Sequence, residues 1–394
     1  MNKNHYLIIF FLAFGIFGLI TMEMGVIGVL PQVAQKFHIS TSQAGILVSI
    51  FAFIVALSGP FLTLLTSGIN RKVILLTAIL VFAISNIVYA FTTKFEVMLA
   101  FRIIPAIFHP VFLSIALATA AQLVPADKSI KAVNRVFLGL SAGFAFGVPV
   151  TSYFADKISL EAAFLFGAVI SFITFIGILV WLPSMPIKDK MSFGNQLSLL
   201  RKTKVWIANM AVVFFHATMF AVYSYFAEYL GQITRMNGSW ISIMLLVFGV
   251  TMIVGNFLFG NFLHKSMKKT VILFPLLYTA IYLFVYFFGS YFLPMAFIVF
   301  IWGAVHSGGI IISQALLMAE SKEAPEFGNS LYVSFSNVGI ALGPLIGGWF
   351  ISHLGLHQLI WSGIMFALLT FLSVILITAI SRASHGRNAI GNQD

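Results

Sequence analysis

The sequence predicts an all-α membrane protein in which twelve transmembrane helices form two pseudo-symmetric six-helix bundles. Three observations predict it. The 394 residues are 60% hydrophobic and only 8% charged, where a soluble domain carries about 25% charged residues. Apolar runs of spanning length recur from one end of the chain to the other, and the second half repeats landmarks of the first.

A helix needs about 20 apolar residues to cross the hydrocarbon core of a bilayer. Hydrophobic runs punctuated by charge or turn residues place spans, in order, at 7–31, 42–66, 72–92, 96–118, 132–154, 161–183, 205–230, 239–262, 270–289, 293–317, 329–352 and 357–381. The first follows Lys3, outruns the roughly 7–15 residue core of a signal peptide and has no A-x-A site, so it reads as a membrane helix. Basic turns separate spans 2 and 3 (Arg71, Lys72), 4 and 5 (Lys128, Lys131), 6 and 7 (Lys188 to Lys204) and 8 and 9 (Lys265, Lys268, Lys269). Lys36, Lys94, Lys157 and Arg235 mark the alternate turns.

This alternation orients the chain. With both termini inside, seventeen of the 22 basic residues fall on the inner side, four on the outer side, and Arg102 stays within span 4. The positive-inside rule therefore puts both termini in the cytoplasm, with the chain in an inner or plasma membrane. The longest inner connection divides the chain into a first bundle, 1–183, a cytoplasmic linker, 184–204, a second bundle, 205–384, and a cytoplasmic tail, 385–394.

Composition also excludes functions. The net charge of +11 arises from residues that membrane topology requires at helix ends, so it is not read as a nucleic-acid surface. Cysteine is absent, which removes disulfides, thiolate metal sites and thiol nucleophiles. There is no H-E-x-x-H and no phosphate-binding G-x-x-x-x-G-K-[ST]. An enzyme, a metal or other cofactor and a self-contained ATP-driven pump are accordingly not expected. One chain holds both bundles, so a monomer is sufficient.

A shift of 197 residues sets His109 of span 4 on His306 of span 10, and the turn Arg71-Lys72-Val73-Ile74-Leu75 on Lys268-Lys269-Thr270-Val271-Ile272. Shifts of 195–196 set Gly147 and Pro149 on Gly343 and Pro344. Parallel six-helix repeats with a binding site between them near the midplane are the layout of major facilitator transporters.

The motifs carry the same resemblance over essentially the whole chain. Gly59-Pro60 through Gly68-Ile69-Asn70-Arg71-Lys72 resembles the major facilitator inner-loop signature, with Asn70 where an aspartate is usual. Arg102-Ile-Ile-Pro-Ala-Ile-Phe-His109 resembles the span 4 signature. Gly139, Gly143, Gly147 and Pro149 resemble the span 5 glycine-proline signature of antiporters, repeated by Gly339, Gly343, Pro344, Gly347 and Gly348. The stretch Glu23-Met-Gly-Val-Ile-Gly28-Val-Leu-Pro31 is similar to the start of drug:proton antiporter-1 exporters of arabinose, purines and nucleosides. The resemblance implies proton-driven export of a small polar compound by alternating access, with Gly68, Asn70 and Arg71 at the inner gate. The alternatives are a multidrug antiporter for amphipathic or cationic drugs, or an uncoupled facilitator. The implied partners are a small-molecule substrate, protons and the lipid bilayer.

Residues within the spans carry the candidate chemistry. A charge at mid-membrane costs about 2.5–3.5 kcal/mol, and Glu23 is the one carboxylate well inside a span, with Glu228 near the outer end of span 7. Glu23 and Arg102 are expected at similar depth, where they form either a structural ion pair or a proton switch. His109 lies two turns after Arg102 on one helix face. It joins His216, Phe220, Tyr223, Trp302 and His306 as candidate substrate contacts, the plain alternative for each being helix packing. Gly147, Pro149, Gly343 and Pro344 permit close helix approach and bending and are the candidate conformational positions.

Overall fold

A computed structural model describes residues 3–65, 69–185, 200–321 and 325–390. Among them the chain is helical nearly throughout, without strands. Helix α1 runs Lys3–Gly25 and continues through a 3₁₀ turn, Val26–Val29, into Leu30–Phe37. Next come α2 (Thr41–Leu65), α3 (Arg71–Phe91) and α4 (Phe95–Gln122). Helix α5 joins Ala126–Ala142 to Val148–Lys157 through a π turn, Gly143–Gly147, and α6 is Leu160–Trp181. Helix α7 (Thr203–Tyr223) breaks at Ser224 and Tyr225 and resumes as Phe226–Gln232. Helices α8 and α9 are the two limbs of Gly238–Phe288, followed by α10 (Phe292–Glu320), α11 (Pro325–Leu354) and α12 (Leu359–Ile390).

Among the described residues eleven helices are long and apolar enough to span a membrane. One of them has 51 residues, about 75 Å at 1.5 Å per residue against a hydrocarbon core of about 30 Å. It breaks at Ser266 (φ −163°, ψ 92°), inside the basic turn expected between spans 8 and 9, and so contributes two crossings. Twelve crossings result, with both ends of the chain on one face, called here the termini face. Side-chain caps set several starts: Asn70 accepts from the Lys72 amide, Ser159 from Ala162 and Asn237 from Trp240. Gly355, at φ 95° between α11 and α12, takes a backbone conformation that favours glycine.

Helix order within the bundles follows from what each helix can bury. In α7, 78% of the best spanning window is interior, against 39% in α12, so α7 is central and α12 faces lipid. Lipid-facing side chains such as Phe257, Leu293 and Phe297 stay large and apolar because the surrounding solvent is hydrocarbon. Glycines spaced by four bring α5 onto α1: a Cβ on Gly139, Gly143 or Gly147 would meet Ala13, Ile20 or Thr21. The same device brings α11 onto α7, where Gly339, Gly343 and Gly347 face Val213, Ala217 and Ala221.

The two halves touch along two seams, α2 against α11 and α5 against α8. Away from the termini face the seams are closed by Thr41 Oγ1 to Glu228 Oε1 (3.1 Å), Ser42 Oγ to Gly348 O (3.0 Å) and Ser242 Oγ to Ser152 Oγ (3.2 Å). Asn70 and Arg71 instead tie elements of the first half. Asn70 binds Ser184 Oγ and the Met185 amide, and Arg71 Nη1 donates to Gln122 Oε1. Gly68 and residues 186–199, most of the expected linker, lie outside the described residues. Helix α12 continues to Ile390, into the stretch expected as a tail.

Candidate functional site

Helix α1 stops being α-helical just after Glu23, which leaves the carbonyls of its last turn without intrahelical partners. Arg102 on α4, 1% exposed, takes that role. Its Nη1 donates to Met22 O (2.7 Å), Nη2 to Glu23 O (2.5 Å) and Nε to Leu47 O (3.0 Å), while the Phe51 ring lies 4.4 Å from the guanidinium carbon. The negative end of the α1 dipole thus faces a fixed cation.

The expected pairing of Arg102 with the Glu23 carboxylate is therefore corrected: Arg102 binds the main chain of Glu23. Three convergent carbonyls satisfy the guanidinium fork along both of its edges. The Glu23 side chain turns the other way, to His109, with Oε2 2.9 Å from Nε2. The ring N–H is not aligned for a linear hydrogen bond, and Nδ1 has no hydrogen-bond partner among the described residues. Phe51 meets His109 edge-on at 5.6 Å. Both members of the pair are buried from bulk solvent but border a cavity.

That cavity, about 330 Å³, lies between the halves. Its first-half wall carries Glu23, His109, Ser114, Ser141 and Phe144, from α1, α4 and α5. Its second-half wall carries His216, Phe220, Asn256, Gln314, Tyr332 and Asn337, from α7, α8, α10 and α11. It extends to Gln314 and Asn329, within two helical turns of the termini face, while the opposite end is shut by the seams. Among the described residues Glu23 is the only carboxylate on the wall, and no lysine or arginine lines it.

Comparison with known proteins gives the family. A model described as Major Facilitator Superfamily matches residues 12–208 and again 205–391, once over each half. The chain belongs to the major facilitator superfamily. It is a multi-pass membrane transporter, not an enzyme. The inner membrane transport protein YdhP of Escherichia coli K12 is 29% identical over 86% of this chain and 88% of its own length. A probable sugar efflux transporter of Mannheimia succiniciproducens is 25% identical over 96% and 95%. A crystal structure of a bacterial homolog of the human lysosomal transporter Spinster, inward-facing and unoccupied, shares the fold: TM-score 0.79, 15% identity, 96% and 98% coverage.

Within this facilitator fold the candidate substrate residues separate. His109, His216 and Phe220 border the cavity beside Glu23. Tyr223, Trp302 and His306 do not, and their expected place on its wall is corrected. Helix α10 turns Trp302 and His306 into its own bundle, where Trp302 Nε1 donates to Tyr278 Oη (2.9 Å) and Tyr278 Oη meets His306 Nδ1 (2.9 Å). Tyr223 stacks on Phe248 at 4.6 Å in the same cluster. The cavity receives the neighbouring stripe of α10 instead: Ser307, Ile310, Ile311 and Gln314.

Gly147, Pro149 and Gly343 sit at helix contacts inside each half, Gly147 in the π turn of α5. Pro344 O accepts a hydrogen bond from Tyr225 Oη at 2.8 Å, tying α11 to the break in α7. Sequence reasoning missed Asn256, Gln314, Tyr332 and Asn337. The signal for the three amides was present, since each is a polar side chain inside an apolar span.

Proposed function

We propose that this transporter exports a small, neutral, polar compound (a sugar, purine or nucleoside) in exchange for protons, with Glu23 as the proton-carrying group. The observation that supports this reading best is the Glu23–His109 contact on the cavity wall, free of Arg102. A carboxylate locked in a guanidinium fork has its charge matched by a permanent cation, whereas one facing an imidazole across 2.9 Å on a cavity wall has a neighbour that can itself take up or release a proton. Arg102 is the positioning residue: it fixes the broken end of α1 and with it the backbone of Glu23.

With the basic turns in the cytoplasm, the cavity faces inward and the seams close the outer end. Substrate enters from the cytoplasm and binds while Glu23 gives up its proton inward. The halves then rock so that the outer seam opens and the inner one closes. A proton from outside displaces the substrate and resets the cycle. One proton moving down 100 mV releases about 2.3 kcal/mol, enough for a roughly 40-fold gradient of a neutral solute.

The wall favours an uncharged substrate. With Glu23 matched by His109 and no lysine or arginine present, neither an anion nor a multiply charged cation finds its counter-charge. Amides and hydroxyls of the second half, including an Asn337 Oδ1 without a partner, suit a donor-bearing ring compound. The sugar efflux name of the Mannheimia relative agrees with this class. The bacterial inner membrane is the corresponding location, with both termini cytoplasmic and the monomer as the working unit.

The test is proteoliposomes enclosing a pH-sensitive dye, given D-arabinose, hypoxanthine, uridine or a cationic dye under an imposed proton gradient. Saturable proton movement with one of the first three, lost in Glu23→Gln, is the expected result. Solute flux without protons, or normal coupling in Glu23→Gln, refutes the proton role of Glu23. Coupling driven by the cationic dye alone replaces the proposed substrate class with drugs.

A further inference from the structure

Behind the cavity's second-half wall lies an unspent hydrogen-bond donor. His306 is fully buried, and Nε2 has no hydrogen-bond partner among the described residues. The indole N–H of Trp302 donates to Tyr278 Oη, which also lies 2.9 Å from His306 Nδ1. The neighbouring phenol, Tyr282, spends its proton on Thr218 O. We assign Tyr278 as the donor to Nδ1, which places the imidazole proton on Nε2, turned away from Tyr278. Around that ring stand Phe220, Tyr223 and Phe248, with centroids 5.5, 4.9 and 5.1 Å from the imidazole.

Burying an unpaired polar donor carries a desolvation cost of about 1–3 kcal/mol, so a donor kept in this state calls for an acceptor that arrives later. Phe220 is the one member of the cage that also lines the cavity. It lies in the last turn of α7 before the break at Ser224 and Tyr225, where a small backbone rotation moves its ring without disturbing a continuous helix. The internal repeat makes the same point. A shift of 197 sets Glu23 on Phe220 and His109 on His306, so the contact that faces the cavity openly in the first half is closed by an aromatic ring in the second.

We propose that His306, Tyr223 and Phe248 form a covered subsite for a planar heteroaromatic ring bearing a carbonyl or ring-nitrogen acceptor, with Phe220 as its cover. Aromatic faces stack on a flat ring and gain little from a saturated one, and the Nε2–H supplies one directed bond. The subsite deepens the export reading above and rests on it for its physiological ligand.

The test is equilibrium binding to the full chain in lipid nanodiscs, with hypoxanthine as the planar probe and D-arabinose as the saturated one. In His306→Leu, hypoxanthine binding weakens about tenfold while D-arabinose binding is unchanged. His306→Gln, which retains an N–H donor, stays close to wild type, and Phe220→Ala, which removes the cover, still binds hypoxanthine. Absence of hypoxanthine binding to wild type, equal loss of both ligands in His306→Leu, or failure of His306→Gln to restore binding overturns the subsite. The liposome assay separates the two proposals. His306-dependent hypoxanthine binding without proton movement supports the subsite and removes the export reading. Proton-coupled D-arabinose flux with hypoxanthine indifferent to His306 overturns the subsite and supports export.

Discussion

The two halves share a scaffold and differ in what they build on it. Each packs its fifth helix onto its first through glycines four residues apart, and each interrupts its first helix: α1 at Val26–Val29, α7 at Ser224 and Tyr225. Each also sets a histidine of its fourth helix beside that interruption. The first half then uses charge, with Arg102 on the freed carbonyls of α1 and Glu23 against His109. The second half has Val299 where the first has Arg102, and neutral phenols bind backbone carbonyls near the break: Tyr282 donates to Thr218 O of α7 (2.5 Å), and Tyr225, at the break itself, to Pro344 O of α11 (2.8 Å). Backbone requirements persist through the repeat because both halves must pack and bend alike. Side chains facing the cavity carry no such constraint, and there the halves diverge into a wall holding the Glu23–His109 pair and a wall of amides and aromatic rings.

Five changes test that division. Glu23→Gln has the largest effect, abolishing substrate-driven proton flux in liposomes while leaving the protein folded; retained coupling would make the halves chemically equivalent. Arg102→Leu follows. It removes the donor from Met22 O and Glu23 O at the end of α1 and the tie from α4 to Leu47 O of α2, and lowers stability by about 3 kcal/mol or more, measured as a fall in the thermal unfolding midpoint in detergent. Gly343→Val inserts side-chain atoms where Ala217 and Ala221 already approach and costs about 1–3 kcal/mol. Gly143→Val, its counterpart on α5, costs the same within error if the scaffold is truly shared. Tyr282→Phe removes one neutral hydrogen bond and costs about 1 kcal/mol. The gap between this value and that of Arg102→Leu measures how much more the charged half invests in its helix break.

The spans were legible in the sequence because hydrocarbon leaves few alternatives to an apolar helix. Even the boundary hidden within Gly238–Phe288 was marked, by Lys265, Lys268 and Lys269. Glu23 and Arg102 stood out as charges inside spans. Their partners did not, because only a broken α1 offers Arg102 the carbonyls of Met22 and Glu23, and only the packing of α2 against α4 adds that of Leu47. The orientation of α10 was illegible for a different reason. Apolar residues surround the helix on all sides, so no amphipathic face distinguishes the Trp302–His306 edge from the Ser307–Gln314 edge. The polar caps at Asn70 and Asn237 were readable in principle as short-range signals, whereas the hydroxyl contacts across the seams join residues as distant as Ser42 and Gly348.

Those seams have a consequence for the environments in which the protein can work. Thr41–Glu228, Ser42–Gly348 and Ser152–Ser242 join the halves through hydroxyl groups, while the pairs Lys36–Glu161, Glu23–His109 and Asp156–Lys157 each lie within the first half. A clasp of ion pairs would loosen as the Debye length shrinks from about 10 Å at 0.1 M salt to about 3 Å at 1 M. Ser42–Gly348 and Ser152–Ser242 are neutral and indifferent to that change, and Glu228 and Asp156 meet hydroxyls rather than cations across the halves, so closure of this face is expected to depend only weakly on ionic strength.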